Sequence, residues 1–148
     1  MSAVHVFGIG SPSGDDQAGW VVIDALQCIG VRAVIEKLDR PGAALVARLQ
    51  GAPHVILVDA MQSGASPGTV RRFDRGDWSG YRSGLSTHGF GVLAALQLAE
   101  ALAILPPQLE LYGIEIASAN PGESVGGAVA ESAVTVAGQI AARLRDST

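Results

Sequence analysis

The chain has 148 residues, 48% of them hydrophobic, and its 14 Asp and Glu against 10 Lys and Arg give a formal net charge of -4. Those figures describe one mildly acidic domain covering residues 1–148, long enough to bury a full core. They exclude a nucleic-acid partner, whose phosphates need a basic face, and no polybasic segment offers an anionic membrane a foothold.

In chain order, the first apolar run predicts a strand near Val4 to Phe7, and no basic leader precedes it, so no signal peptide is expected. A glycine-rich turn follows, Gly8-Ile9-Gly10-Ser11-Pro12-Ser13-Gly14-Asp15-Asp16, and opens a helix near Asp16 to Cys28. Cys28 reads as a small core residue of that helix. Being the one cysteine, it allows no intramolecular disulfide and no thiolate zinc cluster, in keeping with a reducing cytoplasm. Further strands are predicted near Arg32 to Leu38, His54 to Val58, Thr69 to Phe73 and Leu109 to Glu115. Helices are predicted near Gly42 to Gln50, His88 to Ala103 and Glu123 to Leu144. Ser63 to Ser86, rich in Gly, Ser and Arg, reads as mostly loop with one edge strand. The stretch Phe90 to Leu105 is interrupted by Gln97 and Glu100 and is too short to span a bilayer.

Alternation of short β runs with longer helical ones predicts an α/β fold, a mostly parallel twisted sheet of about five strands with helices on both faces. Val55-Ile56-Leu57-Val58 is apolar throughout, the pattern of a central strand covered on both sides. Such sheets place ligands at the carboxyl ends of their strands.

Three side chains fall on that edge: Asp16 after the first strand, Asp59 closing the apolar strand, and His88 at a helix start. Two carboxylates and an imidazole can hold a divalent metal while leaving positions open for substrate or water. Each residue also has a plainer reading. Asp16 can serve as a helix-dipole partner, Asp59 as a solvent-facing strand end, and His88 as a cap. Asp15 cannot point the same way as its neighbour, so Asp16 is assigned to the site and Asp15 to the turn. Asp39, ending the second strand, is a fourth candidate, with a helix N-cap as its alternative role. His5 reads as a packed or edge residue, and His54 lies at the opposite sheet edge.

A Rossmann-like nucleotide site is the competing interpretation of Gly8-Ile9-Gly10. Ser13 stands where the third glycine belongs, Pro12 removes a backbone donor, and Asp15 with Asp16 would repel a pyrophosphate. A scaffold whose acids only cap helices is a further alternative. No Gly-x-Ser-x-Gly elbow supports acyl-enzyme chemistry.

In their order and spacing, Gly8-Ile9-Gly10 leading to Gly14-Asp15-Asp16, then Val58-Asp59-Ala60, Thr87-His88-Gly89-Phe90-Gly91, Leu105-Pro106-Pro107 and Tyr112-Gly113-Ile114-Glu115 resemble the hydrogenase maturation proteases. The resemblance runs along most of the chain. It implies an aspartic-type endopeptidase that removes a C-terminal extension from the large-subunit precursor of a nickel-iron hydrogenase after nickel insertion. It further implies that Asp16, Asp59 and His88 are the metal set, that the nickel or another divalent ion arrives with the substrate, and that Asp39 matters for activity. A cytoplasmic monomer is expected, with a non-catalytic metal-binding relative as the alternative. Several positions depart from the family pattern: Ser11 stands in place of Asn, the turn is one residue shorter, and Gln17 occupies a frequent glycine position. Asp16 replaces a Glu, and Arg40-Pro41-Gly42 replaces Gly-Gly-Thr after Asp39.

Overall fold

The computed structural model describes residues 4–77, 91–117 and 125–146. Among the described residues five strands, β1 (Val4–Gly10), β2 (Val34–Asp39), β3 (His54–Met61), β4 (Val70–Asp74) and β5 (Gln108–Glu115), form one sheet in the order β2-β1-β3-β5-β4. The β1–β2, β1–β3 and β3–β5 pairs are parallel, and β4 joins β5 antiparallel as an edge. Among the described residues four helices pack with it: α1 (Ala18–Ile29), α2 (Ala44–Leu49), α3 (Val92–Ala101) and α4 (Gly127–Asp146). The α/β architecture anticipated from the alternating pattern is the one observed. Among the described residues no helix is long and apolar enough to cross a membrane.

The central strand shows why the sheet is covered on both sides. Val55, Ile56, Leu57 and Val58 are all fully buried. Val55 and Leu57 pack with Leu45, Leu49, Val92 and Leu96 of α2 and α3, whereas Ile56 and Val58 pack with Val22, Leu26, Val136 and Ile140 of α1 and α4. Because successive strand residues point to opposite faces, a continuous apolar run feeds both layers at once. Each such side chain contributes about 1.5–3 kcal/mol of burial.

Three expectations need correction. β1 runs on to Gly10, with Gly8 and Gly10 in register with Lys37 and Asp39 of β2, so two of the turn's glycines belong to the strand. A Cβ on Gly8 would run into the Gly19 carbonyl of α1, and one on Gly10 would meet the Asp16 carbonyl at 2.5 Å. Close helix-on-strand packing therefore accounts for these glycines without a phosphate. Next, β3 does not end before Asp59 but continues to Met61, which puts Asp59 inside the sheet. Lastly, Cys28 is exposed rather than a core residue. The buried face of α1 is Ala18, Gly19, Val22, Ile23 and Leu26, and a position two beyond Leu26 lies about 200° around the helix.

Other boundaries shift by a few residues. The helix anticipated from Asp16 begins as a 3-10 turn, Gly14–Gln17, and becomes α-helical at Ala18. The third helix starts at Val92, with Gly91 as its N-cap. Its anticipated first turn, including His88, lies outside the described residues, as does the end of the Ser63 to Ser86 stretch beyond Asp77.

Candidate functional site

Strand order reverses direction at β1: the chain steps to β2 on one side and then crosses to β3 on the other. That reversal opens a crevice at the carboxyl ends of β1 and β3, the place where open α/β sheets bind ligands. The 3-10 turn after β1 and the last residues of β3 meet there.

Asp15 and Asp16 diverge in this turn. Asp15 is buried, and its carboxylate accepts the Ala117 N–H at 2.9 Å and the Gly126 N–H at 2.6 Å. It thereby ties the turn to the chain leaving β5 and to the approach to α4. Asp16 is half-buried. Its amide donates to the Ser13 carbonyl at 2.9 Å, and its own carbonyl accepts the Ser11 N–H at 3.3 Å. The buried Ser11 hydroxyl donates to Asp16 Oδ2 at 2.5 Å. Ser11, read in the sequence only as a departure, holds the carboxylate at the head of the crevice.

Asp59 is 2% exposed and shares its strand face with Leu57 and Met61. Its Oδ1 accepts the Ala60 N–H at 2.9 Å, while Oδ2 has no hydrogen-bond partner among the described residues. Burial pushes this carboxyl well above the usual aspartate range, and the negative charge of Asp16 adds to the effect against the opposing Ala60 N–H. Two carboxylates at this crevice, near enough to influence one another and one of them buried with an oxygen unmatched among the described residues, form an arrangement that a cation would relieve.

Asp39 ends β2 in register with Gly10. Its Oδ1 accepts Arg40 Nε at 2.8 Å, and the Arg40 N–H donates to the Gly10 carbonyl at 3.0 Å. The hydrogen bond and charge of Asp39 raise the Arg40 pKa, opposed by slight desolvation and aided by Asp16. His88 lies outside the described residues, and among those described no three His, Cys, Asp or Glu side chains come together as a metal set.

Two buried carboxylates carry partners the sequence did not suggest. Glu115, at the end of β5, accepts the Ser63 N–H at 3.1 and 2.9 Å and the Ser63 hydroxyl at 2.5 Å, pinning the loop after β3. Glu110, at the far edge of the sheet, binds His54 Nε2 at 2.9 Å, Arg72 Nη2 at 2.9 Å and Arg143 Nε at 2.6 Å. Burial would raise its pKa, but these hydrogen bonds and the Arg143 charge prevail and lower it. The position of His54 away from the crevice is thus explained by a structural partner.

A family model described as hydrogenase maturation protease matches residues 41–143, more than two-thirds of the chain. The chain belongs to the hydrogenase maturation proteases. It is accordingly an endopeptidase of that hydrolase family, and the matched stretch contains Asp59 and His88 but begins after Asp16 and Asp39. Solved structures of the family share the fold of this protease. The hydrogenase maturating endopeptidase HybD from E. coli aligns with a TM-score of 0.83 at 23% identity, covering 98% of this chain and 93% of that one. The [NiFe] hydrogenase maturation protease HycI from Thermococcus kodakarensis KOD1 aligns at 0.76 and 22%, covering 97% and 93%. HybD from Thermococcus kodakarensis aligns at 0.74 and 21%, covering 96% and 98%. No curated protein matches the chain.

Asp15 provides a test of how the crevice of this protease is held. Asp15→Ala removes the acceptor for two backbone amides and is expected to cost about 2–3 kcal/mol, read as a lowered denaturant midpoint. Asp15→Asn keeps one acceptor oxygen and should fall between. A loss no greater than that of an ordinary surface substitution would show that the two amides are held by other groups.

Proposed function

We propose that the protein removes the C-terminal extension of a nickel-iron hydrogenase large-subunit precursor after nickel has been inserted, using the substrate's nickel as its recognition element. The observation that supports this most directly is the buried Asp59, whose Oδ2 has no described partner and which lies under the influence of Asp16 at the β1–β3 crevice. A carboxylate so placed suits a cation that enters late and brings other ligands of its own.

In this reading Asp16 and Asp59 supply oxygen donors to open positions on the substrate's nickel, and His88 supplies a nitrogen. Ser11 fixes the approach of Asp16 by donating its hydroxyl to Oδ2. Once the precursor's nickel is engaged, its extension lies across the ends of β1 and β2, beside Asp39. Asp39 then acts as the general base on water attacking the scissile carbonyl. The protein acts as a cytoplasmic monomer on this one macromolecular partner.

The test is a side-by-side incubation with nickel-loaded and nickel-free precursor, followed by the mass of the large subunit. Only the loaded form should be shortened. Cleavage of both forms, or of neither, refutes nickel-directed recognition.

A further inference from the structure

Among the described residues only Arg40 and Ala103 combine a side chain with positive φ, at 41° and 58°. Ala103 lies just past the end of α3, where a left-handed residue is an ordinary way to stop a helix. Arg40 has no such excuse: it directly follows the last residue of β2 and precedes Pro41, a position that favours extended backbone. Glycine would adopt this conformation without strain. Strain of this kind persists where surrounding structure enforces it, and it gathers at functional sites.

The result of the strained turn is a definite placement. The Arg40 N–H is held on the Gly10 carbonyl at 3.0 Å, and a Cβ at Gly10 would lie 2.5 Å from the Asp16 carbonyl, so Arg40 and Asp16 are carried by the same point of β1. The guanidinium Nε lies 2.8 Å from Asp39 Oδ1, with the two side chains 63% and 52% exposed and thus open to a docking protein. This brings a permanent cation to an edge where Asp16, Asp39 and Asp59 are acids. Negative charge developing on a substrate beside Asp39 there has this cation to meet.

We propose that Arg40 is a catalytic residue whose guanidinium binds the scissile carbonyl oxygen and stabilises the oxyanion formed as water adds. The assignment rests on the endopeptidase reading above, with Asp39 as base. Asp39 Oδ1 orients Arg40 through Nε, which leaves the terminal guanidinium nitrogens for the carbonyl oxygen and Oδ2 for the water. The water oxygen bonds to the carbonyl carbon, its proton passes to Asp39, and the carbonyl π pair moves onto oxygen beside Arg40. Collapse restores the carbonyl and breaks the C–N bond, with the Asp39 proton going to the departing nitrogen. Docking of the precursor excludes water from the pair and strengthens its electrostatic effect.

The test compares wild type, Arg40→Gly, Arg40→Gln and Arg40→Lys on the precursor form that wild type cleaves. Arg40→Gly should fold with an unchanged or higher thermal midpoint, because the left-handed position suits glycine. Its kcat should fall about 100-fold or more with KM within about threefold, the pattern of a lost transition-state contact. Millimolar guanidinium ion should restore part of that kcat, an effect a merely structural arginine would not give. Arg40→Gln should lose kcat similarly and Arg40→Lys should retain an intermediate rate. A kcat within about threefold of wild type in both Arg40→Gly and Arg40→Gln, a loss confined to KM, or a loss that guanidinium does not relieve overturns the assignment. If wild type cleaves nickel-free precursor equally well, the nickel reading fails while the role of Arg40 is still measured on that substrate.

Discussion

Asp59→Asn is expected to raise the thermal midpoint of the metal-free protein by about 3–6 °C near pH 7.5, while lowering cleavage of nickel-loaded precursor about 100-fold or more. The two effects have one origin. Asp59 is 2% exposed, with one oxygen on the Ala60 N–H and the other without a partner among the described residues. Burial and then the Asp16 charge raise its pKa, so the folded state favours the protonated carboxyl. The sign of the pH dependence follows. The stability that a raised pKa contributes is fully present below the ordinary aspartate range, near pH 4, and is lost as pH rises through the raised value. Asparagine has nearly the shape of the protonated acid and cannot ionise. The mutant should therefore match wild type near pH 4 and become progressively the more stable as pH rises, by about 1–2 kcal/mol once the wild-type side chain must either ionise in place or hold a proton. Thermal melts across pH in the presence of a chelator measure this difference. A gap that does not change with pH, or a mutant that is less stable at high pH, would rule out the buried carboxyl as a site of stored electrostatic cost.

Much of the crevice was legible in the sequence because it depends on local rules. An apolar run identifies a doubly covered strand, and acids following such strands fall at the carboxyl edge of the sheet. Asp39 and Asp16 are placed there by chain order alone. The sequence pattern ends that strand at Val58 and leaves Asp59 just beyond it, whereas β3 runs on to Met61 with Asp59 buried inside. A single acid after four apolar residues looks like a terminator because burying it is costly, and nothing local reveals that Ala60 and Met61 continue the strand.

Long-range partners account for the remaining misses. Gly8 and Gly10 look like a phosphate turn until Gly19 and Asp16 are seen pressing on them. Asp15 and Asp16 could be separated by direction, since neighbours on a helical turn diverge, but the amides that Asp15 binds come from Ala117 and Gly126. Glu110 in Leu109-Glu110-Leu111 has the alternation of a solvent-facing strand residue. Its burial is explained only when β3, β4 and α4 deliver His54, Arg72 and Arg143 around it. The strained Arg40 had no local signature either. A residue before proline suggests extended backbone, and the left-handed turn emerges only from the junction of β2 with Gly10.

Gly19→Ala should be a severely damaging addition of one methyl group near this site, costing about 3 kcal/mol or more. A Cβ at Gly19 would lie 2.5 Å from the Ile9 carbonyl oxygen, 2.8 Å from the Val58 carbonyl oxygen and 2.9 Å from the Ile9 nitrogen. All three are backbone atoms of β1 and β3, so no side chain can swing aside. Relief requires α1 to lift from the sheet or the β1–β3 ladder to open, and either movement exposes the apolar layer formed by Val22, Ile23 and Leu26. With a domain stability of about 5–15 kcal/mol, such a loss consumes a large share of the folding margin. Gly138→Ala is the matched control: that glycine is exposed in the middle of α4 with nothing within 4 Å of its Cβ position. The extra methyl there should stabilise by about 0.5–1 kcal/mol through helix propensity. Denaturant midpoints for the two variants should move in opposite directions, and a Gly19→Ala midpoint close to wild type would mean the strands yield more easily than their packing implies. The strand ends forced apart in Gly19→Ala carry Asp16 and Asp59. Any fraction of the variant that remains folded should therefore lose cleavage more steeply than its folded population falls, linking the close helix contact at Gly19 to the spacing of the two acids.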